Sequence, residues 1–323
     1  MSPESRIYVA GHAGLVGSAF VRTLQQQGYR NILTRTRAEL DLTDQRAVGR
    51  FFDEASPEYV FLAAAKVGGI VANNSFPAEF IATNLAIQSN VISQARRCDV
   101  RRLLFLGSSC IYPRDCPQPI REEYLLTGPL EPTNRPYAIA KIAGVEMCWA
   151  YNRQYGTQYL AAMPTNLYGP GDNYDLQTSH VLPALIRKVH TAKVNRAPEV
   201  TLWGTGTPRR EFLYTDDLAE AGVFLMNLPD AEFSTLAARP DGQAPLVNIG
   251  CGEDLTILEL AELVREVVGY SGALVLDRSK PDGTPQKLLS IDRIAALGWR
   301  PRTSLKAGIA LAYADYVGRT AAA

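Results

Sequence analysis

Tyr137 and Lys141, four residues apart in Tyr137-Ala138-Ile139-Ala140-Lys141, form the pair in this sequence best suited to move a proton. A repeat of 3.6 residues puts both on one face of a helix, with the ammonium in reach of the phenol. Free tyrosine titrates near 10, and a cation within about 4–6 Å lowers that by roughly 1–3, which makes the phenol a proton donor near neutrality. Upstream, the apolar run Leu103-Leu104-Phe105-Leu106 reads as a strand that ends in Gly107-Ser108-Ser109-Cys110, so the Ser108 hydroxyl supplies a third polar group. Tyrosine and lysine at this spacing also arise on ordinary solvated helix faces. The elements around them therefore decide what the pair does.

The N-terminal elements point to a nucleotide. Ile7-Tyr8-Val9-Ala10 reads as a strand, Gly11, Gly14 and Gly17 punctuate the loop after it, and a helical pattern runs from Ser18 to Gln27 before Gly28. Glycines let the backbone turn and approach a pyrophosphate, and the following helix offers unpaired amides and the positive end of its dipole. The second strand, Asn31 to Thr34, ends at Arg35-Thr36-Arg37, where a fold selective for NAD often places an acid. Arginines there suit the additional phosphate of NADP, so NADP(H) is the expected cofactor, although Glu39 and Asp41 lie close by.

Beyond these, helix and strand patterns alternate. A helix is expected from Asp44 to Glu54 and a strand from Val60 to Ala63, followed by the small residues of Ala64-Ala65-Lys66-Val67-Gly68-Gly69. A long helix, Pro77 to Cys98, is apolar on more than one face, as for a buried helix partly covered by a second subunit. The helix carrying Tyr137 continues towards Tyr155, and Tyr159 to Met163 is a further strand. Pro164 to Asn173 is expected as a loop crossing the carboxyl edge of the sheet. A helix around His180 to His190 and strands at Val200–Trp203 and Leu246–Ile249 follow, with Asp216 or Asp217 expected as a helix N-cap. The alternation predicts an α/β fold, a Rossmann-type doubly wound parallel sheet with a smaller mixed α/β substrate domain.

Composition narrows the function classes. The chain has 323 residues, 46% apolar and 20% charged, and its 33 Lys plus Arg balance 33 Asp plus Glu. No overall basic field favours nucleic acid or an anionic membrane, and no apolar run suggests a signal segment or a bilayer span. Five cysteines (Cys98, Cys110, Cys116, Cys148, Cys251) lack metal-ligand spacing, so no metal is expected, each is read as a buried thiol, and the protein is expected to be cytoplasmic.

A strand-end serine and Tyr-x-x-x-Lys behind Gly-x-x-Gly-x-x-Gly resemble the extended short-chain dehydrogenase/reductase superfamily. Longer blocks resemble one family within it, the GDP-L-fucose synthases: Ala63 to Asn74, Leu103 to Pro113, Leu130 to Asn134, Tyr137 to Gly144, Met163 to Asn173, Trp203 to Leu213 and Lys280 to Pro285. The resemblance implies NADPH-dependent conversion of GDP-4-keto-6-deoxymannose to GDP-L-fucose, by epimerisation at C3 and C5 and reduction at C4, in a homodimer. In that dimer the Pro77 helix and the Tyr137 helix would pack on their symmetry mates as a four-helix bundle.

By the same resemblance, Ser108, Cys110, Tyr137, Lys141 and His180 are catalytic. Cofactor contacts fall on Gly11, Gly14, Leu15, Val16, Gly17, Arg35, Arg37, Asp41, Leu42, Ala64, Leu106, Lys141, Pro164, Asn166, Leu167 and His180, and GDP-sugar contacts on Lys188, Trp203, Arg210, Asp282 and Lys287. On residue type alone, Cys110 reads as a small core thiol, His180 as a capping or satisfied histidine, Lys188 as a solvated cation and Trp203 as a core anchor. Some bacterial relatives have arginine where this chain has Ala13, which leaves Arg35 and Arg37 to recognise the 2′-phosphate.

The resemblance divides the chain into a cofactor domain (1–172, 213–255 and 285–300) and a substrate domain (173–212, 256–284 and 301–323). A dehydratase would carry Asp-Glu after the catalytic serine, where this chain has Ser109-Cys110. The alternatives are a GDP-L-colitose synthase, inverting only C5 of a 3-deoxy sugar, and a non-catalytic NADP-binding sensor.

Overall fold

The computed structural model describes residues 1–239, 241–280 and 282–321. Pro281, inside one of the blocks that carry the resemblance, and residues 322–323, in the expected substrate domain, lie outside the described residues.

In chain order the first half contains β1 (Ile7–Ala10), α1 (Leu15–Gln26), β2 (Ile32–Leu33), α2 (Gln45–Ala55), β3 (Tyr59–Leu62), α3 (Ile70–Ser75), α4 (Pro77–Arg97), β4 (Arg102–Leu106) and α5 (Arg135–Tyr155). The chain continues with β5 (Tyr159–Pro164), β6 (Asn166–Tyr168), α6 (Val181–Val194), β7 (Glu199–Trp203), β8 (Arg209–Arg210), β9 (Phe212–Tyr214), α7 (Thr215–Met226) and α8 (Asp230–Ala238). It closes with β10 (Leu246–Ile249), β11 (Leu255–Thr256), α9 (Ile257–Val268), β12 (Ala273–Asp277), β13 (Gln286–Lys287), α10 (Asp292–Ala296) and α11 (Leu305–Ala321).

Six strands pair in the order β10-β5-β4-β3-β1-β2, every neighbouring pair parallel. Parallel strands need crossovers, and helices cover both faces, so the strands read as continuous apolar runs. Alternation along each strand splits the core in two. Tyr8, Val60, Leu103, Phe105 and Ala161 join one cluster with Phe52 of α2, Val91 of α4 and Val145 of α5. Ile7, Val9, Phe61, Leu104 and Leu160 join another with Phe20 of α1, Leu218 of α7 and Phe233 of α8. A third cluster gathers Leu185 and Val189 of α6, Leu202 of β7, Leu260 and Val264 of α9 and Ile309 of α11 around Tyr168 and Tyr214. The strand order reverses between β1 and β3, and ligands of open α/β sheets bind at such a switch point, outside the carboxyl ends of the strands.

The structure differs from the sequence expectations in several places. Asn166 to Tyr168 is no loop: it forms β6, parallel to β9, and Pro164 ends β5. A three-residue strand paired only with a distant partner leaves no periodic signal. Neither Asp216 nor Asp217 caps α7. The N-cap is Tyr214, and both acids sit in the first turn, where Asp216 accepts from Arg22 and Asp217 from the amide and hydroxyl of Thr303. Helix α1 starts at Leu15, before the expected Ser18, because Gly14 serves as its N-cap. Only Cys110 and Cys148 are buried thiols; Cys98, Cys116 and Cys251 are partly exposed.

Candidate active site

The loop between β1 and α1 has the shape a dinucleotide phosphate needs. Gly11 has φ +85°, a left-handed conformation that favours glycine, and a Cβ on Gly17 would stand 2.1 Å from the Gly11 carbonyl oxygen. No side chain caps α1 and no acid stands in its first turn, so its amide end and dipole are free for an anion. Leu15 opens the helix, Val16 packs on the core beneath it, and Ala64 closes over Gly11 from the end of β3.

The two acids near β2 are already engaged. Glu39 accepts from the Thr36 amide and hydroxyl, and Asp41 from those of Thr43, which holds both carboxyls below their usual range. Arg37 is largely exposed, 3.8 Å from Asp41, and Arg35 lies over the Phe51 ring. Leu42 is buried, and its carbonyl accepts from Asn90. The residues present therefore fit a dinucleotide with a 2′-phosphate: glycines for the diphosphate, exposed arginines for the monoester.

At the carboxyl end of β4, the Ser108 hydroxyl accepts from the Cys110 amide at 3.5 Å and starts a single 3-10 turn, Ser109–Ile111. That turn buries Cys110 beside the helix carrying Tyr137 and Lys141. The Lys141 ammonium donates to the Leu106 carbonyl at 2.7 Å, lies 4.8 Å from the Phe105 ring centroid and stands 5.9 Å from that of Tyr137. Phe80 of α4 meets the Tyr137 ring edge-on at 6.1 Å. Phe80 and Phe105 position the pair, and sequence reasoning gave them no role in the site; their only signal was an aromatic at a strand end and at a helix face.

Electrostatics corrects one expectation. Burial, and next the neighbouring Cys110, push the Tyr137 phenol up, with the Ser108 hydroxyl pulling the other way, so the phenol is not lowered in the ligand-free site. Burial brings Lys141 down to about 8. Desolvation outweighs charge attraction when both partners are enclosed. Burial likewise pushes the Cys110 thiol above its ordinary value, while Lys287, Ser108 and Lys141 pull it down.

His180 occupies the N-cap position of α6, and its side chain makes no capping bond. It is not a helix-capping histidine. Protein atoms crowding the imidazole lower its pKa. The Thr178 carbonyl, just before it, accepts from the Gly69 amide at 3.3 Å, which ties the His180 loop to the segment after β3. Among the described residues, no hydrogen bond joins His180 to the Ser108–Lys141 group.

Further cations gather nearby. In the small sheet of β11, β8 and β13, Arg210 pairs in register with Lys287. The Arg210 guanidinium donates to the Thr284 carbonyl at 2.6 Å, and burial lowers the pKa of Lys287 with Cys110 acting in the opposite direction. Trp203 is no core anchor: it is 66% exposed, with the ammonium groups of Lys188 and Lys280 at 5.4 and 5.8 Å from its ring. The Asp282 carboxylate accepts from the amide and hydroxyl of Thr205 and so fixes the turn after Trp203. Asn166 donates to the Glu211 carbonyl at 2.8 Å, and Leu167 packs on the core beside it. No cluster of three metal-ligating side chains occurs among the described residues, and no helix among them is long and apolar enough to cross a membrane.

Residues 7–237 match the NAD dependent epimerase/dehydratase family. The chain is 57% identical over 313 residues to "Probable GDP-L-fucose synthase 1" of Oryza sativa subsp. japonica, covering 97% of this chain and 92% of the relative. It is 52% identical to the GDP-L-fucose synthase of Escherichia coli (strain K12), covering 96% of each. Identity to the GDP-L-colitose synthase of Yersinia pseudotuberculosis is 36%, over 94% of this chain and 95% of the relative. Among solved structures, the NADP-bound GDP-mannoheptose C4 reductase MlghC of Campylobacter jejuni superposes with a TM-score of 0.89 at 41% identity, covering 98% of this chain and 99% of the other.

Proposed function

The chain belongs to the NAD dependent epimerase/dehydratase family and, within it, to the GDP-L-fucose synthases, and from that premise we propose that it converts GDP-4-keto-6-deoxymannose to GDP-L-fucose with NADP(H) as cofactor. The observation that carries this reading is the grouping of Ser108, Cys110, Tyr137 and Lys141 at the carboxyl end of β4, with the charge of Lys287 felt at Cys110. A pure reductase needs the tyrosine and lysine. A buried thiol beside them adds a base for carbon acids.

The C4 ketone acidifies the hydrogens on C3 and C5, because the carbanion delocalises into an enolate oxygen. Ser108 and Tyr137 donate to that oxygen and stabilise its charge. Cys110 and His180 take and return the carbon protons from opposite faces, which inverts each centre. NADPH, when bound, supplies the hydride that reduces C4. Tyr137 gives its phenolic proton to the C4 oxygen, and Lys141 orients the nicotinamide ribose and balances the charge left on Tyr137. Gly11, Gly14, Leu15, Val16, Gly17, Ala64, Leu106, Pro164, Asn166 and Leu167 line the cofactor, with Arg35, Arg37, Asp41 and Leu42 at its phosphate and adenosine end. Lys188, Trp203, Arg210, Asp282 and Lys287 take the GDP-sugar, cations to the diphosphate and the indole as a flat wall.

The third core cluster, separate from the two flanking the sheet, supports the division into a cofactor domain (1–172, 213–255, 285–300) and a substrate domain (173–212, 256–284, 301–323). The close packing of α4 on α5 and the exposed Ile139 and Tyr155 support a homodimer built on those helices. Five free cysteines support a reducing, cytoplasmic setting. Fucose rather than colitose chemistry is favoured by 57% against 36% identity.

Turnover in deuterated water tests the reading. GDP-4-keto-6-deoxymannose and NADPH should give GDP-L-fucose with a deuteron at both C3 and C5. One deuteron with the 3-deoxy analogue, and no NADPH consumption with the first substrate, would establish the colitose alternative. For the pocket wall, Trp203→Ala should raise KM for the GDP-sugar about 5- to 30-fold through loss of ring and cation–π contacts. Its thermal stability should stay unchanged, since the indole is mostly exposed.

A further inference from the structure

Glu211 is fully buried, the mechanism does not use it, and it stands where the Thr165–Asn166 segment, the turn after β10 and the strand of Lys287 meet. One carboxylate oxygen accepts from the amides of Cys251 (2.7 Å) and Gly252 (2.8 Å), in the turn leaving β10. The other accepts from the amide of Leu289 (3.0 Å), two residues beyond Lys287. Its own amide donates to the Lys287 carbonyl. Its own carbonyl accepts from the Thr165 hydroxyl and the Asn166 amide group. The fit leaves no slack: a Cβ on Gly250 would stand 2.2 Å from the carboxylate.

We propose that Glu211 is the positioning residue of the GDP-sugar site: its carboxylate fixes the strand of Lys287, and with it the neighbouring Arg210, against the end of β10. The inference rests on Arg210 and Lys287 being GDP-sugar contacts. A carboxylate is needed because every side-chain partner is a donor. In Glu211→Gln the carbonyl can keep the Cys251 and Gly252 amides, but the new NH2 faces the Leu289 amide, donor against donor. The Lys287 strand must then move. The cofactor segment stays, because Asn166 and Thr165 are anchored on the backbone carbonyl of residue 211, and the amide oxygen of glutamine still accepts from the Thr165 hydroxyl that reaches the carboxylate.

Calorimetric titration of GDP and, separately, of NADP⁺ into wild type and E211Q tests this split. GDP affinity should fall about 10- to 100-fold in E211Q, as for a buried donor left unsatisfied at a binding strand, with NADP⁺ affinity unchanged. Unchanged GDP affinity, or an equal loss for both ligands, overturns the inference. Wild-type protein that binds no GDP overturns the underlying reading of the pocket, and the inference with it. Should E211Q fail to fold, hydrogen exchange on the wild type decides: GDP should slow exchange at 250–252 and 286–290 together, and slowing confined to 286–290 overturns the coupling.

Discussion

Tyr137→Phe is expected to lower GDP-sugar-dependent NADPH oxidation by about 10²- to 10⁴-fold, the usual range for removing a general acid. NADP⁺ affinity should be nearly unaffected, because the ring stays to pack edge-on against Phe80. The phenol is pushed up by burial, so in the ligand-free enzyme it keeps its proton throughout the neutral range. Negative charge growing on the C4 oxygen in the same enclosed pocket is desolvated as well, which raises its proton affinity alongside that of the phenol and keeps a high phenol pKa compatible with the acid role. The pH limit then falls on Lys141, brought down to about 8. Lysine is cationic below its pKa and neutral above it, so kcat/KM for reduction should hold below about pH 8 and fall above it. That limb belongs to the free enzyme, which kcat/KM reports. A limb set by Tyr137 would instead lie far to the alkaline side, and finding it there would reverse the assignment. In Tyr137→Phe the residual rate should keep the Lys141 limb, since Lys141 is still held by Leu106 and Phe105.

How far such a site could be read from sequence depends on whether its cause is local. Helix α4 runs from Pro77 to Arg97, within one residue of the Pro77–Cys98 that the sequence predicts, because its start is a proline and its apolar pattern is long. Strand β10 falls residue for residue on the expected Leu246–Ile249, a short, mostly apolar run bounded by Pro245 and Gly250. The glycine loop, the strand-end serine and the Tyr137–Lys141 spacing are likewise local patterns. Strand β6 depends on a partner more than forty residues away, so its three letters read as loop. The direction of the Tyr137 shift depends on how deeply the pocket is enclosed, which spacing does not encode. Trp203 illustrates the reverse error: a large apolar residue suggests a core, yet the fold leaves the ring open beneath two cations. Glu211 offered one overlooked signal, an acid directly after two arginines and before an apolar strand, where a surface charge would be out of place.

Cys110→Ser should separate the two halves of the reaction. Serine keeps the size and the place on the 3-10 turn, but its hydroxyl is far too weak an acid to ionise near neutrality, so the carbon base is lost. Solvent deuteron incorporation into the sugar should drop by about 10²- to 10⁴-fold. NADPH should still be consumed, because Ser108, Tyr137 and Lys141 remain to reduce the C4 ketone. The product should then be a 4-reduced GDP-6-deoxy sugar with C3 and C5 uninverted, which NMR distinguishes from GDP-L-fucose. The wild-type pH profiles should diverge for the same reason. Burial holds the Cys110 thiol above its ordinary pKa, so only a minor fraction is thiolate at neutrality, and that fraction grows as pH rises. Exchange should therefore climb with pH over the range in which reduction begins to fall with Lys141. It should level off where Lys287 and Lys141 lose the charges that favour the thiolate. In Cys110→Ser the climbing limb should vanish while the Lys141 limb stays. Deuteron incorporation at the wild-type rate in that variant would place the carbon base elsewhere, and His180, held in the cleft at a lowered pKa, would be the first residue to test in its stead.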